Sequence, residues 1–320
     1  MEQEVVAASK PGWRKFVDFP LVALVIAMVV VSLGQIAPGF AIGIIEGAKG
    51  GTKPTVDSVQ ALLQGPYLVP AAILEIVVSV LLYKLIVRHL GERPRDDLRL
   101  EGAAKDVGHG LLAGFGIFSL IVGVAALLGV YRIVGGGDWS SFVSILVGFG
   151  LMPGFREELL FRGVLFRWLE EFGGSWAALA ITSALFGLAH MGNANATAFS
   201  SFCIAMEAGI LLGSVYMLTK NLWMAMALHA AWNFTQGFIW DVNVSGFDSH
   251  GIVTAELTGP SWLSGGAFGL EASVIALVLA TGLGLFYLRR AVQLGHVVQP
   301  RWTRRRLARE QVSVPSTADA

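Results

Sequence analysis

Apolar residues fall into eight long runs separated by short polar segments, at approximately residues 20–44, 66–88, 108–131, 140–168, 175–191, 198–219, 222–240 and 268–290. A helix needs about 20 mostly apolar residues to cross a hydrocarbon core of roughly 30 Å. Each run therefore predicts a transmembrane helix, and together they predict an all-α, polytopic membrane helix bundle. The first run follows Lys10, Arg14 and Lys15 but lacks a clear small-x-small cleavage site, so it is read as retained. The organisation that follows is three spans over residues 1–139, a core of spans 4–7 over 140–240, a loop over 241–267, an eighth span over 268–290 and a basic tail over 291–320.

Composition agrees with the pattern. Of 320 residues 54% are hydrophobic and 14% charged, against about 25% charged in soluble chains. Lys plus Arg and Asp plus Glu both number 23, which argues against a basic surface selected for nucleic acid. Membrane lipid is the expected surrounding partner. The single cysteine, Cys203, excludes an intramolecular disulfide and a cysteine-based zinc cluster.

The distribution of charge sets an orientation. Twenty of the 23 Lys and Arg residues fall on the side carrying both termini, and only Lys49, Lys53 and Arg132 on the other. The positive-inside rule then predicts cytoplasmic termini. The loop Asp241 to Gly266 holds Asp241, Asp248 and Glu256 without Lys or Arg and is expected as an extracytoplasmic cap. The arginine-rich tail is read as an orientation signal without regular structure. Glycine pairs at four-residue spacing, Gly39 and Gly43, Gly110 and Gly114, Gly209 and Gly213, permit close helix approach. Richness in Ala, Gly and Val suggests a bacterial source, hence the cell membrane.

Strongly polar side chains inside a span are costly, which makes them functional candidates. Here they are Glu75, Glu157, Glu158, Arg162, His190, Glu207, His229 and Asn233. Pro153-Gly154 predicts a break in the long fourth run, with a helix restarting near Phe155. On that helix Glu158 and Arg162 stand at i and i+4 with the acid first, the favourable order for an ion pair. Glu157 points about 100° away and lacks that contact. A desolvated carboxylate without a neutralising partner can serve as general base or acid. Phe186 and His190 share one helical face, as do His229 and Asn233. At about 1.5 Å per residue from Trp168, Trp176 and Trp223, Glu157 lies roughly 16 Å deep, His190 roughly 21 Å, His229 roughly 9 Å and Asn233 roughly 15 Å. These depths overlap enough for the four to hold and activate a water. Glu75 and Glu207 have no helical partner and are read as structural.

These residues form EExxFRG (Glu157, Glu158, Phe161, Arg162, Gly163), FxxxH (Phe186, His190) and HxxxN (His229, Asn233). In this order, over about residues 140–240, the chain resembles the family of CAAX prenyl proteases and bacteriocin-processing enzymes. The resemblance implies hydrolysis of a peptide bond, in a peptide or membrane-protein substrate, within a cytoplasm-facing cavity. It implies Glu157 and His190 as the groups activating water, His229 and Asn233 as oxyanion or water ligands, and Glu158, Arg162 and Phe186 as supporting residues. Two mechanisms stay open. Glu157, His190 and His229 can supply three protein ligands to a catalytic zinc, yet HExxH is absent and a metal-free glutamate mechanism suits the same residues. A non-catalytic immunity or scaffold protein of the same fold is the competing class. A proton-coupled transporter is disfavoured because no inverted repeat is found.

Overall fold

The computed structural model describes residues 11–49, 54–92 and 95–312. Its elements are α1 (Gly12–Val17), α2 (Pro20–Ala48), α3 (Val56–Gln64), α4 (Leu68–His89), α5 (Ala103–Leu127), β1 (Tyr131–Gly136), α6 (Met152–Glu158), α7 (Arg167–Ala189), α8 (Ala198–Ile204), α9 (Ile210–Thr219), α10 (Trp223–Phe234), β2 (Val253–Leu257), α11 (Ser261–Ser264), α12 (Val274–Gln293) and α13 (Arg301–Val312). Among the described residues, six helical runs are long and apolar enough to cross a membrane: Pro20–Ala48, Leu68–His89, Ala103–Leu127, Ser144–Gly192, Ala198–Thr219 and Val274–Gln293. The protein is an all-α, multi-pass membrane bundle.

Six differs from the eight predicted runs in two places. Ser144–Gly192 is one continuous 49-residue run, but it kinks at Gly174, whose φ of 83° and ψ of 170° are not helical. A Cβ there would lie 2.8 Å from the Val298 carbonyl oxygen, so the site needs glycine twice over, for its backbone angle and for space. The other difference is α10, which is 12 residues long with a five-residue continuation, Thr235–Ile239, and so is shorter than a full crossing.

The expected break at Pro153 does not occur. Ser144–Leu151 is a π-helix, and Pro153 falls in the first turn of the α-helix that follows it. Proline has no N–H to donate, and the Phe149 carbonyl oxygen four residues earlier accepts Asn233 Nδ2. The wide turns upstream therefore absorb the proline without redirecting the chain. Further π-helical turns span Leu159–Phe166, Ala205–Gly209 and Thr235–Ile239.

Small residues set how closely the helices approach. A Cβ on Gly110 would lie 2.5 Å from the Met224 carbonyl oxygen, and one on Gly114 would collide with that of Leu228, so α5 lies directly against the α10 backbone. Gly154 brings α6 onto the same helix, where a Cβ would lie 2.9 Å from Met226 O and Ala230 N. Gly209 and Gly213 meet Ser183 and Leu179 of α7, whereas Gly39 and Gly43 have only side-chain contacts at 4.0 Å. Two of the three predicted glycine pairs thus carry helix packing.

The two ends of the bundle are chemically distinct. At one, the carboxylate of Asp97 receives Arg95, Arg167, Tyr83 (2.9 Å) and Tyr216 (3.2 Å). The tail docks beside it, contrary to the unstructured reading: α13 places Arg301 Nη2 2.6 Å from Glu92 Oε1, Arg304 Nη2 2.5 Å from the Glu171 carbonyl oxygen, and Trp302 edge-on to Phe172. Its partners come from distant elements, which a local pattern does not reveal. Lys10, Lys53, Arg93 and residues 313–320 lie outside the described residues. At the opposite end β1 pairs antiparallel with β2, a small sheet that the all-helical pattern does not anticipate, with Arg132 and Glu256 in register and bonded at 2.9 Å. Asp241 accepts the backbone N–H groups of Gly251 (3.1 Å) and Ala255 (2.9 Å), so this acid organises the cap.

Candidate active site

Glu158 is the hub of the polar core. It ends α6 fully buried, and its Oε1 takes Arg162 Nη1 at 2.8 Å, the pair expected from the i, i+4 spacing. The same oxygen lies 2.9 Å from His229 Nδ1 on α10. Gly154, one turn earlier, lets α6 come close enough to α10 for that bond. Arg162 is fully engaged: its Nη2 also donates to the carbonyl oxygens of Ala208 (3.2 Å) and Gly209 (3.3 Å), and its guanidinium sits 4.6 Å from the Phe186 ring centroid.

Phe186 joins the two histidines, with ring centroids 4.8 Å from His190 and 6.1 Å from His229. His190 follows the last residue of α7, and its Nδ1 is 2.8 Å from the Phe186 carbonyl oxygen. A carbonyl oxygen can only accept, so this Nδ1 carries the hydrogen and the neutral ring keeps its lone pair on Nε2. The carboxylate of Glu158 imposes the same tautomer on His229. Asn233 donates through Nδ2 to the Phe149 carbonyl oxygen at 2.9 Å, which leaves the amide a second N–H.

Phe186, His190, His229 and Asn233 line one small cavity of about 30 Å³, together with Glu207, Ser245 and Glu271. Four predicted site residues thus meet on a single space. Glu158 and Arg162 stand behind it. Glu157 is half-buried and is not among the lining residues, although its charge acts on Arg156, Arg162 and His229. Its buried Oε2 has no hydrogen-bond partner among the described residues.

Ser245 and Glu271, from the loop and turn before α12, also line the cavity and are bonded to each other.

The proposed zinc ligands do not assemble. Among the described residues no group of three His, Cys, Asp or Glu is arranged to hold a metal ion, Glu157, His190 and His229 included. Two polar residues escaped the sequence reading. Arg156 grips Glu75 with Nε at 2.7 Å and Nη2 at 2.6 Å, which supplies the partner Glu75 lacked on its own helix. Glu271 sits at the edge of the eighth apolar run, and an acid in that run was the available signal.

No curated protein and no solved structure matches the chain. Residues 138–235, the segment that holds every one of these motif residues, match the family model of type II CAAX prenyl endopeptidases, Rce1-like, and this multi-pass membrane protein therefore carries an Rce1-like segment at its polar core.

Proposed function

We propose that the protein is an intramembrane endopeptidase that hydrolyses peptide bonds of peptide or membrane-protein substrates. The observation that carries this reading is the meeting of His190, His229 and Asn233 on one buried cavity inside the Rce1-like segment.

In the proposed reaction Glu157, which does not line the cavity in this structure, turns toward it and accepts a proton from a water that His190, through Nε2, holds in line with the carbonyl carbon. The water oxygen bonds to the carbon and the carbonyl oxygen becomes an oxyanion. His229, entering the reaction as the imidazolium with a proton on Nε2 as well as Nδ1, and the second N–H of Asn233 stabilise that charge. Glu158 fixes the His229 ring and compensates its charge when Nε2 carries a proton. The C–N bond then breaks as the proton held by Glu157 passes to the leaving amine, giving a carboxyl and an amine product.

The test is hydrolysis of a broad peptide library by the purified, detergent-solubilised protein. Glu157→Gln should lose about 10²- to 10⁴-fold in rate while its thermal unfolding stays that of the wild type. Full activity in that variant would overturn the reading.

A further inference from the structure

The mechanism leaves two cavity-lining carboxylates unused. Glu207, in the π-helical turn Ala205–Gly209, is fully buried, and neither of its oxygens has a hydrogen-bond partner among the described residues. Glu271, buried in the turn Leu270–Ala272, accepts the Ser245 backbone N–H and also lies against the polar side chains of Ser245, Gln236 and Trp232, all of them neutral. Both line the same cavity as His190 and His229, and no Lys or Arg does. Arg162, a cation of the polar core, is already committed to Glu158, Ala208 and Gly209.

Buried carboxylates without a countercharge are expensive. Two of them facing one space suit an occupant that brings positive charge and several N–H donors. A metal ion does not fit, since the described residues offer no three-ligand group. The cavity is small, about 30 Å³, and an ammonium is a compact cationic head that carries several N–H donors. We propose that Glu207 and Glu271 form a subsite for a primary ammonium group of the peptide substrate, three N–H donors shared between two carboxylates. The inference rests on the peptidase reading. The ammonium can be the peptide's α-amino group or a lysine side chain.

One arm of the test needs no catalysis. Thermal unfolding of the purified protein is followed with methylammonium chloride, against tetramethylammonium chloride at equal ionic strength. Wild type should be stabilised in a concentration-dependent way by methylammonium alone, and both Glu207→Gln and Glu271→Gln should lose that response. Equal responses to the two salts in wild type, or an unchanged response in both variants, would overturn the subsite. The second arm compares cleaved peptides with their N-acetylated and lysine-to-norleucine forms. Loss of the relevant ammonium should raise KM at least about ten-fold with kcat little changed, and the substitution that does so identifies the source. If neither raises KM, the subsite is wrong. If wild type cleaves nothing, the peptidase reading fails, and the methylammonium arm decides the subsite by itself.

Discussion

His229 Nδ1 lies 2.9 Å from Glu158 Oε1, the same oxygen that receives Arg162 Nη1 at 2.8 Å. One buried carboxylate oxygen thus ties α10 to the helix of the glutamate pair and orients a ring that faces the cavity. Spacing alone assigns Glu158 to helix support. The contact across α6 and α10 gives it the further task of positioning a histidine.

Removing that carboxylate leaves Arg162 buried without its charge partner. Glu158→Ala should destabilise the protein by about 3–5 kcal/mol, the usual cost of breaking a buried ion pair from one side. Glu157, which has no such partner, should tolerate Gln with little loss. Parallel denaturation of the two variants in detergent checks the ordering, and equal loss would contradict the assignment of Glu158 as the hub.

Asn233→Ala should lower kcat by about 10²- to 10³-fold, as loss of one oxyanion donor does, with KM nearly unchanged. Steady-state kinetics on any cleaved peptide separates the two. A change confined to KM would assign Asn233 to substrate binding.

The contact of α5 with α10 has no room for a side chain at Gly114. Gly114→Val should cost at least about 1–3 kcal/mol through overpacking and displace the helix that carries His229 and Asn233. Gly116, with nothing within 4 Å of a Cβ, is the control, and Gly116→Val should unfold near the wild-type temperature.

Acid should loosen the end of the bundle built on Asp97. Burial alone would raise the proton affinity of this carboxyl, but the Arg167 and Arg95 guanidiniums outweigh that effect and hold its pKa below the ordinary 3.8. A group depressed in the folded state stabilises it above the unfolded pKa, and that contribution is lost as pH falls through the folded value. The unfolding temperature of the wild type should therefore drop across the acid limb below about pH 4. Asp97→Asn should start lower at neutral pH and show a shallower acid limb, and parallel curves for the two proteins would refute the role of this group.

How much of this was legible in the chain follows from range. The Glu158 and Arg162 pair, Phe186 against His190, and the glycine contacts of α5 depend on residues three or four apart, and helical period exposes them. His190, His229 and Asn233 stand out because polar groups are scarce in apolar runs. Arg156 with Glu75 joins residues 81 apart, and α13 finds its partners in Phe19 before α2, Glu92 after α4 and Glu171 and Phe172 of α7, so no local pattern announces either. The π-helical turns are hidden for another reason: one extra residue per turn leaves hydrophobicity almost unchanged while shifting the face that later residues present.

The docking of α13 also bears on assembly. Arg301 meets Glu92 from 209 residues away, and the surfaces it joins belong to helices made well before it. That end of the bundle stays unlatched until a segment beyond α12 has left the ribosome. The order of synthesis makes this clasp one of the last contacts at that end able to form.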